Sequence, residues 1–259
     1  MKWSELDWPT IQDLDKGLPV VVPLGSIEQH GLHLPLCTDT CQVSQIAEAA
    51  EERLAESTLF VPTLWLGSSH HHLDFPGTLS VRPSLYSRII QELANSILSA
   101  GFRRLFFLNG HGGNEIPIAQ ALTELASTDA TAREAHLVMS SWWTVGKPDV
   151  EKLGLQTEMI THACEYETSL MLRLRPDLVT VDAINDAPPI PAEEWTTGEK
   201  RVGIYRRFAL MTAHGNLGTP SAATAEKGDR IFEAVVNDVV AFLQSFAEWP
   251  LPRPLGPKR

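Results

Sequence analysis

An apolar run passes directly into a polar, glycine-containing loop in residues 18–40, LPVVVPLGSIEQHGLHLPLCTDT. The run at 18–24 predicts a buried strand, because strands covered on both faces read as short continuous apolar segments. From Thr40 to Ala55 the apolar residues recur at helical spacing, which predicts an amphipathic helix. The stretch therefore reads as strand, loop and helix, which is the repeating unit of an α/β fold.

The same order of elements recurs along the chain. Further apolar runs predict strands at 59–64, 103–108 and 136–140. Helical patterns occur at about 83–100, 115–126, 163–174 and 222–247. Because strands alternate with helices four times in the first 140 residues, we expect an α/β fold with a mainly parallel sheet. No repeat or low-complexity linker interrupts the chain, so we interpret residues 1–259 as a single domain.

The composition narrows the class of protein. The 259 residues carry 21 Lys and Arg against 32 Asp and Glu, a net charge of −11. An acidic surface repels phosphate backbones, which argues against nucleic acid as a partner. No segment has the roughly 20 apolar residues of a membrane span, and no signal region opens the chain, so we expect a cytoplasmic protein without membrane association. The cysteines, an odd count without CxxC spacing, read as reduced thiols.

Polar loops rich in histidine and acidic residues follow three of the predicted strands. They span residues 25–39, 67–79 and 109–114. Because the carboxyl ends of parallel strands meet at one edge of a sheet, we expect these loops to converge there. Imidazole and carboxylate groups together suit Zn²⁺, Mn²⁺ or Fe²⁺. A single loop histidine is usually just solvated, but several such residues at one edge favour a metal site.

The first loop holds Glu28, His30, His33 and Asp39. Alternate residues of an extended segment point to the same side, so Glu28 and His30 can face one point. Asp39 can return to that point at the start of the next helix. The third loop adds His111 between glycines, which let the backbone approach a bound group. A carboxylate shared by two ions would fit a two-metal hydrolase.

Other candidate residues lie outside this group. HACEYETS at 162–169 begins a predicted helix, where Glu165 and Glu167 suit the helix dipole without any further role. In the run 70–72 we assign His71 to substrate binding, with support of a ligand as the alternative, and expect the other two histidines to be solvated or packed. After the fourth strand either Trp142 or Trp143 could line the substrate pocket, with core or subunit-interface packing as the alternative, and we assign Trp142 to substrate binding. Asn114 is predicted to cap the following helix.

These segments resemble those of the creatininase family. GSIEQHGLHLPLCTDT at 25–40 resembles its first metal-binding motif, and NGHGGN at 109–114 resembles its second. HACEYETS is similar to its HAGExETS element, and FPGTLS at 75–80 and HGNLGTPSAATAEKG at 214–228 are similar to further family segments. The resemblance implies a three-layer α/β/α sandwich, a homo-oligomer that is commonly a hexamer, and hydrolysis of an amide or cyclic amide C–N bond.

The resemblance also implies a site with two divalent metal ions per subunit, Zn, Mn or Fe. Glu28 and His111 would hold one ion and His30 the other, with Asp39 bridging them. His162 matches the histidine proposed to carry protons in the family, and would be catalytic here. The substrate is expected to be a small molecule.

This chain departs from the creatinine-hydrolysing members at two places. Those members carry a Glu ligand two residues after the histidine of the second motif, where this chain has Gly113. We assign Glu167 as the replacement ligand. A Trp-Asp pair ahead of the proton-carrying histidine is Glu158 and Met159 here, which puts creatinine as the substrate in doubt. A formamide, a peptide or a keto-cyclitol is the alternative substrate within the family.

The expected mechanism follows from two neighbouring ions. They would lower the pKa of a shared water toward about 7 and supply hydroxide to a polarised carbonyl. Backbone N–H groups around Gly112 and Gly113, which we assign to substrate binding, would help to hold the oxyanion. His162 would carry the proton to the leaving nitrogen.

Other classes of protein fit the sequence less well. A nucleotide-binding dehydrogenase would need GxGxxG after a strand, and a serine hydrolase would need GxSxG; neither motif follows the strands. A non-catalytic ligand-binding or assembly protein on the same fold remains an alternative, since fold and function separate readily. The long loop at 184–207 could close over the site or pack on a neighbouring subunit.

Overall fold

Four parallel strands form one sheet in this computed structural model, which describes residues 1–145, 150–157, 160–187 and 205–253. The strands are β1 (Pro19–Leu24), β2 (Leu59–Phe60), β3 (Arg104–Asn109) and β4 (His136–Ser141), in the order β2-β1-β3-β4. Every pairing between them is parallel. The predicted α/β class and the parallel sheet are confirmed.

Eight α-helices accompany the sheet within the described residues. They are α1 (Trp8–Asp13), α2 (Thr38–Leu54), α3 (Pro83–Ser99), α4 (Glu115–Thr128), α5 (Trp142–Val145), α6 (Val150–Leu153), α7 (Glu165–Leu174) and α8 (Ala225–Ala247). Local sequence signals explain where two of these helices begin. Pro83 opens α3, where its missing N–H costs nothing. The Thr224 side chain accepts a hydrogen bond from the N–H of Lys227 and caps α8. The short α1, capped by Asp7, has no predicted counterpart because it lacks a long apolar stripe.

The two faces of the sheet carry separate hydrophobic clusters. Alternate residues of β3 point to opposite faces, so Leu105 and Phe107 join the cluster beneath α3 and α4. Phe106 and Leu108 join the cluster beneath α2, α7 and α8. The helices therefore cover both faces of the sheet, which confirms the three-layer α/β/α sandwich.

The second strand is shorter than predicted. It ends at Phe60 instead of continuing to residue 64, because Pro62 has no N–H to donate to the ladder. The chain nevertheless stays beside β1, since the N–H of Leu64 donates to the carbonyl of Pro23 at 3.0 Å. The loop that follows still begins at the carboxyl edge of the sheet.

The described residues settle some sequence predictions and leave others open. Among them, no helix combines the length and the apolar character needed to span a bilayer. Most of the 184–207 loop lies outside the described residues, and so do Glu158 and Met159. The single domain over residues 1–259 and the cytoplasmic location stay predictions.

Candidate metal centre

The five predicted ligands lie together at the carboxyl edge of the sheet. The loop after β1 carries two of them, α2 and α7 each supply one from their first turns, and the loop after β3 supplies the last. They are Glu28, His30, Asp39, His111 and Glu167, none more than 5% exposed. Three segments far apart in the sequence thus meet at one buried point.

Asp39 stands between two groups of ligand atoms. Its Oδ1 lies 3.0 Å from Nε2 of His30, and its Oδ2 lies 3.2 Å from Nδ1 of His111. On one side, Nδ1 of His111 is 3.3 Å from Oε1 of Glu28. On the other, Nε2 of His30 is 3.8 Å from Oε1 of Glu167. Asp39 therefore lies between two groups of candidate ligand atoms and faces both.

The residues present fit metal ions. Three buried atoms have no hydrogen-bond partner among the described residues, namely Oε2 of Glu28, Nε2 of His30 and Oδ2 of Asp39. Buried polar atoms are normally hydrogen-bonded, so such a group needs another partner. The ligand atoms of these three residues lie within 4.8 Å of one another, and mixed carboxylate and imidazole donors suit Zn²⁺, Mn²⁺ or Fe²⁺.

The electrostatics of the cluster favour bound cations. Burial alone would lower the pKa of His111, but the charges of Glu28 and Asp39 raise it to about 10. Burial also opposes protonation of His30, whose pKa Asp39 and Glu167 nevertheless raise well above its ordinary value. Burial opposes the ionisation of Asp39 as well, yet the facing imidazoles hold its pKa below the usual range. Positive charge, whether from protons or from metal ions, is therefore stabilised here.

Neighbouring groups orient both ligand imidazoles. Nδ1 of His30 lies 3.1 Å from the carbonyl oxygen of Glu28 and donates to it, which leaves Nε2 as the ligand atom. Nε2 of His111 lies 3.2 Å from the carbonyl of Ser68 and 3.1 Å from Oγ of Ser69. Donation from Nε2 leaves Nδ1 of His111 free for an ion, as is usual for histidine ligands.

His162, the predicted catalytic residue, lines the cavity beside the ligands. Its Nε2 lies 2.7 Å from the carbonyl oxygen of Gln29 and donates to it. The other nitrogen, Nδ1, lies 3.6 Å from Oε1 of Glu28. Burial, together with the charge on His30, lowers the pKa of His162 well below its ordinary value. The ring is therefore neutral at pH 7, with the Nδ1 lone pair on the side of the cluster.

The three consecutive histidines have different surroundings. His70 is exposed, and its Nδ1 lies 2.7 Å from Oγ of Ser80. His71 lines the cavity, and its ring stacks on that of His111 at a centroid distance of 5.7 Å. His72 is buried and supports a ligand, because the Gln29 amide donates to its Nδ1 at 2.7 Å and its Nε2 lies 3.4 Å from Oε1 of Glu28.

A cavity of about 300 Å³ opens onto the ligands. Gly112 and Gly113, which we assign to substrate binding, line it, and Trp143, Ile160 and Phe208 form its apolar wall. Trp142 does not reach the cavity: it is 1% exposed and belongs to the core cluster beneath α8. The pocket position predicted for Trp142 is thus taken by Trp143, because α5 begins at Trp142 and turns the first indole inward.

A known protein family matches this chain over most of its length. The model of the creatininase family, described as creatinine amidohydrolase, matches residues 4–243. The chain belongs to the creatininase family. It is 33% identical to a mycofactocin precursor peptide peptidase of Mycobacterium tuberculosis, with 98% of this chain and 94% of the relative covered. It is 29% identical to the creatinine amidohydrolase of Pseudomonas putida, with 85% and 86% covered.

Solved creatininase structures share the fold. One is a mutant creatininase of the Zn-Zn type and another is described as creatininase Mn. Each superposes with a TM-score of 0.79 at 26% identity and covers 95% of this chain and 98% of the neighbour. The chain is therefore a creatininase-family hydrolase with a candidate metal cluster at the site.

The backbone at Gly113 leaves no room for a side chain. A Cβ added at Gly113 would collide with the carbonyl of Ser68 and with Nε2 of His111. The segment around residue 68 closes onto His111 in the space that a side chain would need. An acidic side chain cannot be added at residue 113 without moving that segment, and Glu167 stands beside His30 instead.

Two features of the creatininase-family site have no counterpart in the prediction. Asn114 stands at the predicted N-cap position of α4, but its side chain makes no capping hydrogen bond; it accepts from the N–H of Ser68 and donates to the carbonyl of Gly25, so it joins two loops of the site. Ala163, next to His162, has a φ of 50°, and its N–H donates to Oε2 of Glu167. Neither role carries a signal in the sequence.

Proposed function

We propose that this creatininase-family hydrolase binds two divalent ions and cleaves an amide C–N bond of a small molecule. Glu28, Asp39 and His111 would hold one ion, and His30, Asp39 and Glu167 the other. The observation that carries the proposal is the position of Asp39, whose two oxygens face different imidazoles at 3.0 and 3.2 Å. The Zn-Zn and Mn descriptions of solved relatives support Zn or Mn, and Fe²⁺ suits the same donors.

The residues around the cluster have distinct tasks in this reaction. Bound divalent ions supply Lewis acidity toward a carbonyl oxygen and lower the pKa of a bound water. His162 is neutral and presents Nδ1 to the site, so it accepts a proton there and delivers it to the leaving nitrogen. Trp143, Ile160 and Phe208 exclude water from one side of the substrate. Gly112 leaves its side open, since nothing would lie within 4 Å of an added Cβ.

The size of the cavity limits the substrate. About 300 Å³ is at the small end of ligand pockets and suits a small amide or cyclic amide. Trimming of a peptide end is the second candidate, because the chain is 33% identical over 262 residues to a relative named as a peptide peptidase. In that case the terminal residue alone would enter the cavity.

Metal content per subunit and turnover test the proposal together. The protein is purified without a chelator or a histidine tag, its metals are measured by elemental analysis, and cyclic amides, formamides and short peptides are screened. We expect about two ions per subunit and turnover that a chelator abolishes and added Zn²⁺ or Mn²⁺ restores. If no metal binds even after addition, the ligand assignment fails. If two ions bind but no amide is cleaved, the non-catalytic alternative replaces the enzyme.

We further propose that the chain functions in the cytoplasm as a homo-oligomer, a hexamer by resemblance to its family. Light scattering coupled to size-exclusion chromatography measures the mass of the assembly. A monomer at micromolar concentration would contradict this.

A further inference from the structure

Glu115 places a carboxylate in the cavity outside the ligand set. It is the first residue of α4 and lines the same cavity as Glu28, Asp39, His111 and Glu167. None of the candidate metal-binding groups in the described residues includes it, so its oxygens lie outside the ion positions. The carboxylate is available to a substrate that occupies the cavity.

One oxygen of Glu115 is fixed by a neighbour and the other is not. Oε1 accepts a hydrogen bond of 2.7 Å from Oγ of Ser141, and the amide of Asn109 donates to that same Oγ at 3.0 Å. Asn109 also donates to the carbonyl of His111 at 2.7 Å. Ser141 at the end of β4 thus holds the carboxylate, and Asn109 holds Ser141 in turn, with no described donor on Oε2.

The charge of Glu115 has no counterpart in the described part of the cavity. Apart from four histidines, the described residues that line the cavity include no basic side chain, and Glu115 forms no ion pair with a described residue. Bound ions would neutralise the other three cavity carboxylates, whereas Glu115 would stay negative. The indole of Trp143 lines the same cavity, and tryptophan is the aromatic residue that attracts a cation most strongly.

A role in helix stability alone could also explain an acid at this position. A carboxylate in the first turn of a helix interacts favourably with the helix dipole. That role needs only the first turn of α4, however, and does not depend on which molecule enters the cavity. The two roles therefore differ in whether removal of the charge changes substrate preference.

We propose that Glu115 makes the cavity selective for small amides that carry a cationic group, an ammonium or a guanidinium, at the end away from the scissile bond. The inference rests on the proposed amidohydrolase function and names its substrate class. Because the carboxylate and the metal ligands line one small cavity, a single small molecule can reach both.

Matched pairs of compounds test the charge. Each ω-amino amide of two to five carbons is compared with the alkyl amide in which a methyl group replaces the ammonium, and an ω-guanidino series distinguishes the two cations. Hydrolysis is followed by ammonia release. Binding of the corresponding carboxylate products is measured by calorimetry, so that the comparison does not depend on turnover.

We expect at least one cationic product and its amide to be preferred over the neutral match by about tenfold or more, or about 1.4 kcal/mol. Glu115→Gln keeps an acceptor for Ser141 but removes the charge, and should bring the preference to within about twofold with metal content unchanged. Glu124→Gln, on the exposed side of α4, is the matched control and should leave it unchanged.

Three results would overturn the inference: no preference at any chain length, a preference that survives Glu115→Gln, or loss of metal from that variant. Failure of the proposed function appears separately, as an absence of bound ions or of amide cleavage, while the product-binding comparison still gives its answer.

Discussion

Nε2 of His30 lies 3.0 Å from Oδ1 of Asp39, and both side chains are almost fully buried. Since the other oxygen of Asp39 faces His111, this carboxylate connects both halves of the cluster. If the cluster binds the two ions proposed above, a carboxylate shared by both should be less replaceable than a ligand of one ion alone.

Asp39→Asn should therefore remove both ions. An amide offers one neutral oxygen, so it cannot serve two cations, and we expect less than about half an ion per subunit and a loss of turnover above about 100-fold. Elemental analysis and kinetics measure these effects. Asp177→Asn, an exposed acid paired with Arg175, is the control and should change neither. Retention of two ions by Asp39→Asn would contradict the shared-ligand geometry.

Glu167→Gln should remove one ion and keep the fold. Oε1 of Glu167 faces His30, while Oε2 accepts from the N–H of Ala163. A glutamine has a single oxygen, which can satisfy Ala163 but then turns the NH₂ group toward the ion. We expect about one ion per subunit by elemental analysis and an unchanged far-UV circular dichroism spectrum. Glu167→Ala, which leaves Ala163 without its acceptor, should in addition lower the melting temperature.

The adjacent tryptophans should respond differently to truncation. Trp142→Ala removes a core indole that is 1% exposed, and should cost about 3–5 kcal/mol of the free energy of unfolding. Trp143→Ala removes part of the cavity wall, and should cost less than about 2 kcal/mol but raise KM. Urea unfolding and steady-state kinetics separate the two effects. A raised KM for Trp142→Ala, together with a larger loss of stability for Trp143→Ala, would place Trp142 in the pocket instead.

Removal of the charge of Glu165, in the first turn of α7, should destabilise the fold. Oε1 of Glu165 lies 2.6 Å from Nζ of Lys227, and the N–H groups of Gln156 and Thr157 donate to the same carboxylate. Glu165→Gln leaves Lys227 largely buried without its partner, which should cost about 3 kcal/mol of the free energy of unfolding in urea. Glu233→Gln, which breaks an exposed pair with Arg53, should cost less than about 1 kcal/mol.

The same pair predicts a pH dependence. Burial opposes ionisation of Glu165, but Lys227 and the N–H of Thr157 hold its pKa below the ordinary value of 4.5. A carboxyl whose pKa is lowered by folding contributes stability above its unfolded pKa, and this is lost as the pH falls through the folded value. The stability difference between the wild type and Glu165→Gln should therefore be constant from pH 7 to about 5.5 and narrow below 4.5. A constant difference down to pH 3.5 would contradict this assignment.

The sequence carries strong signals for the sheet and for the placement of the ligands. Apolar runs mark β1 and β3 to within a residue, and parallel topology alone brings Glu28 and His111 to one edge. The substitution of Glu167 for the acid missing at Gly113 rests on the family resemblance, and the proximity of Glu167 to His30 is consistent with it.

Other features depend on tertiary contacts that no local pattern contains. The choice between Trp142 and Trp143 depends on how α5 leaves β4. Gln29 has an unremarkable side chain for a loop residue, and its bonds to His72 and to the carbonyl of Gly215 exist only once three distant segments have folded around it. Glu115 directly follows the NGHGGN motif, and this position is the one sign in the sequence that it lies near the site. Its charge suggests a role in binding only because the fold places it in the cavity.

The left-handed backbone of Ala163 couples two parts of the site mechanically. An alanine in this conformation costs roughly 1–2 kcal/mol, and the hydrogen bond from its N–H to Glu167 opposes the relaxation of that turn. His162 is the preceding residue, so the position of its imidazole depends on a strained turn that the carboxylate of Glu167 maintains. Loss of the hydrogen bond between Ala163 and Glu167 would let the turn relax and would move the imidazole away from Glu28. The ion occupancy and the position of the proton carrier would then change together.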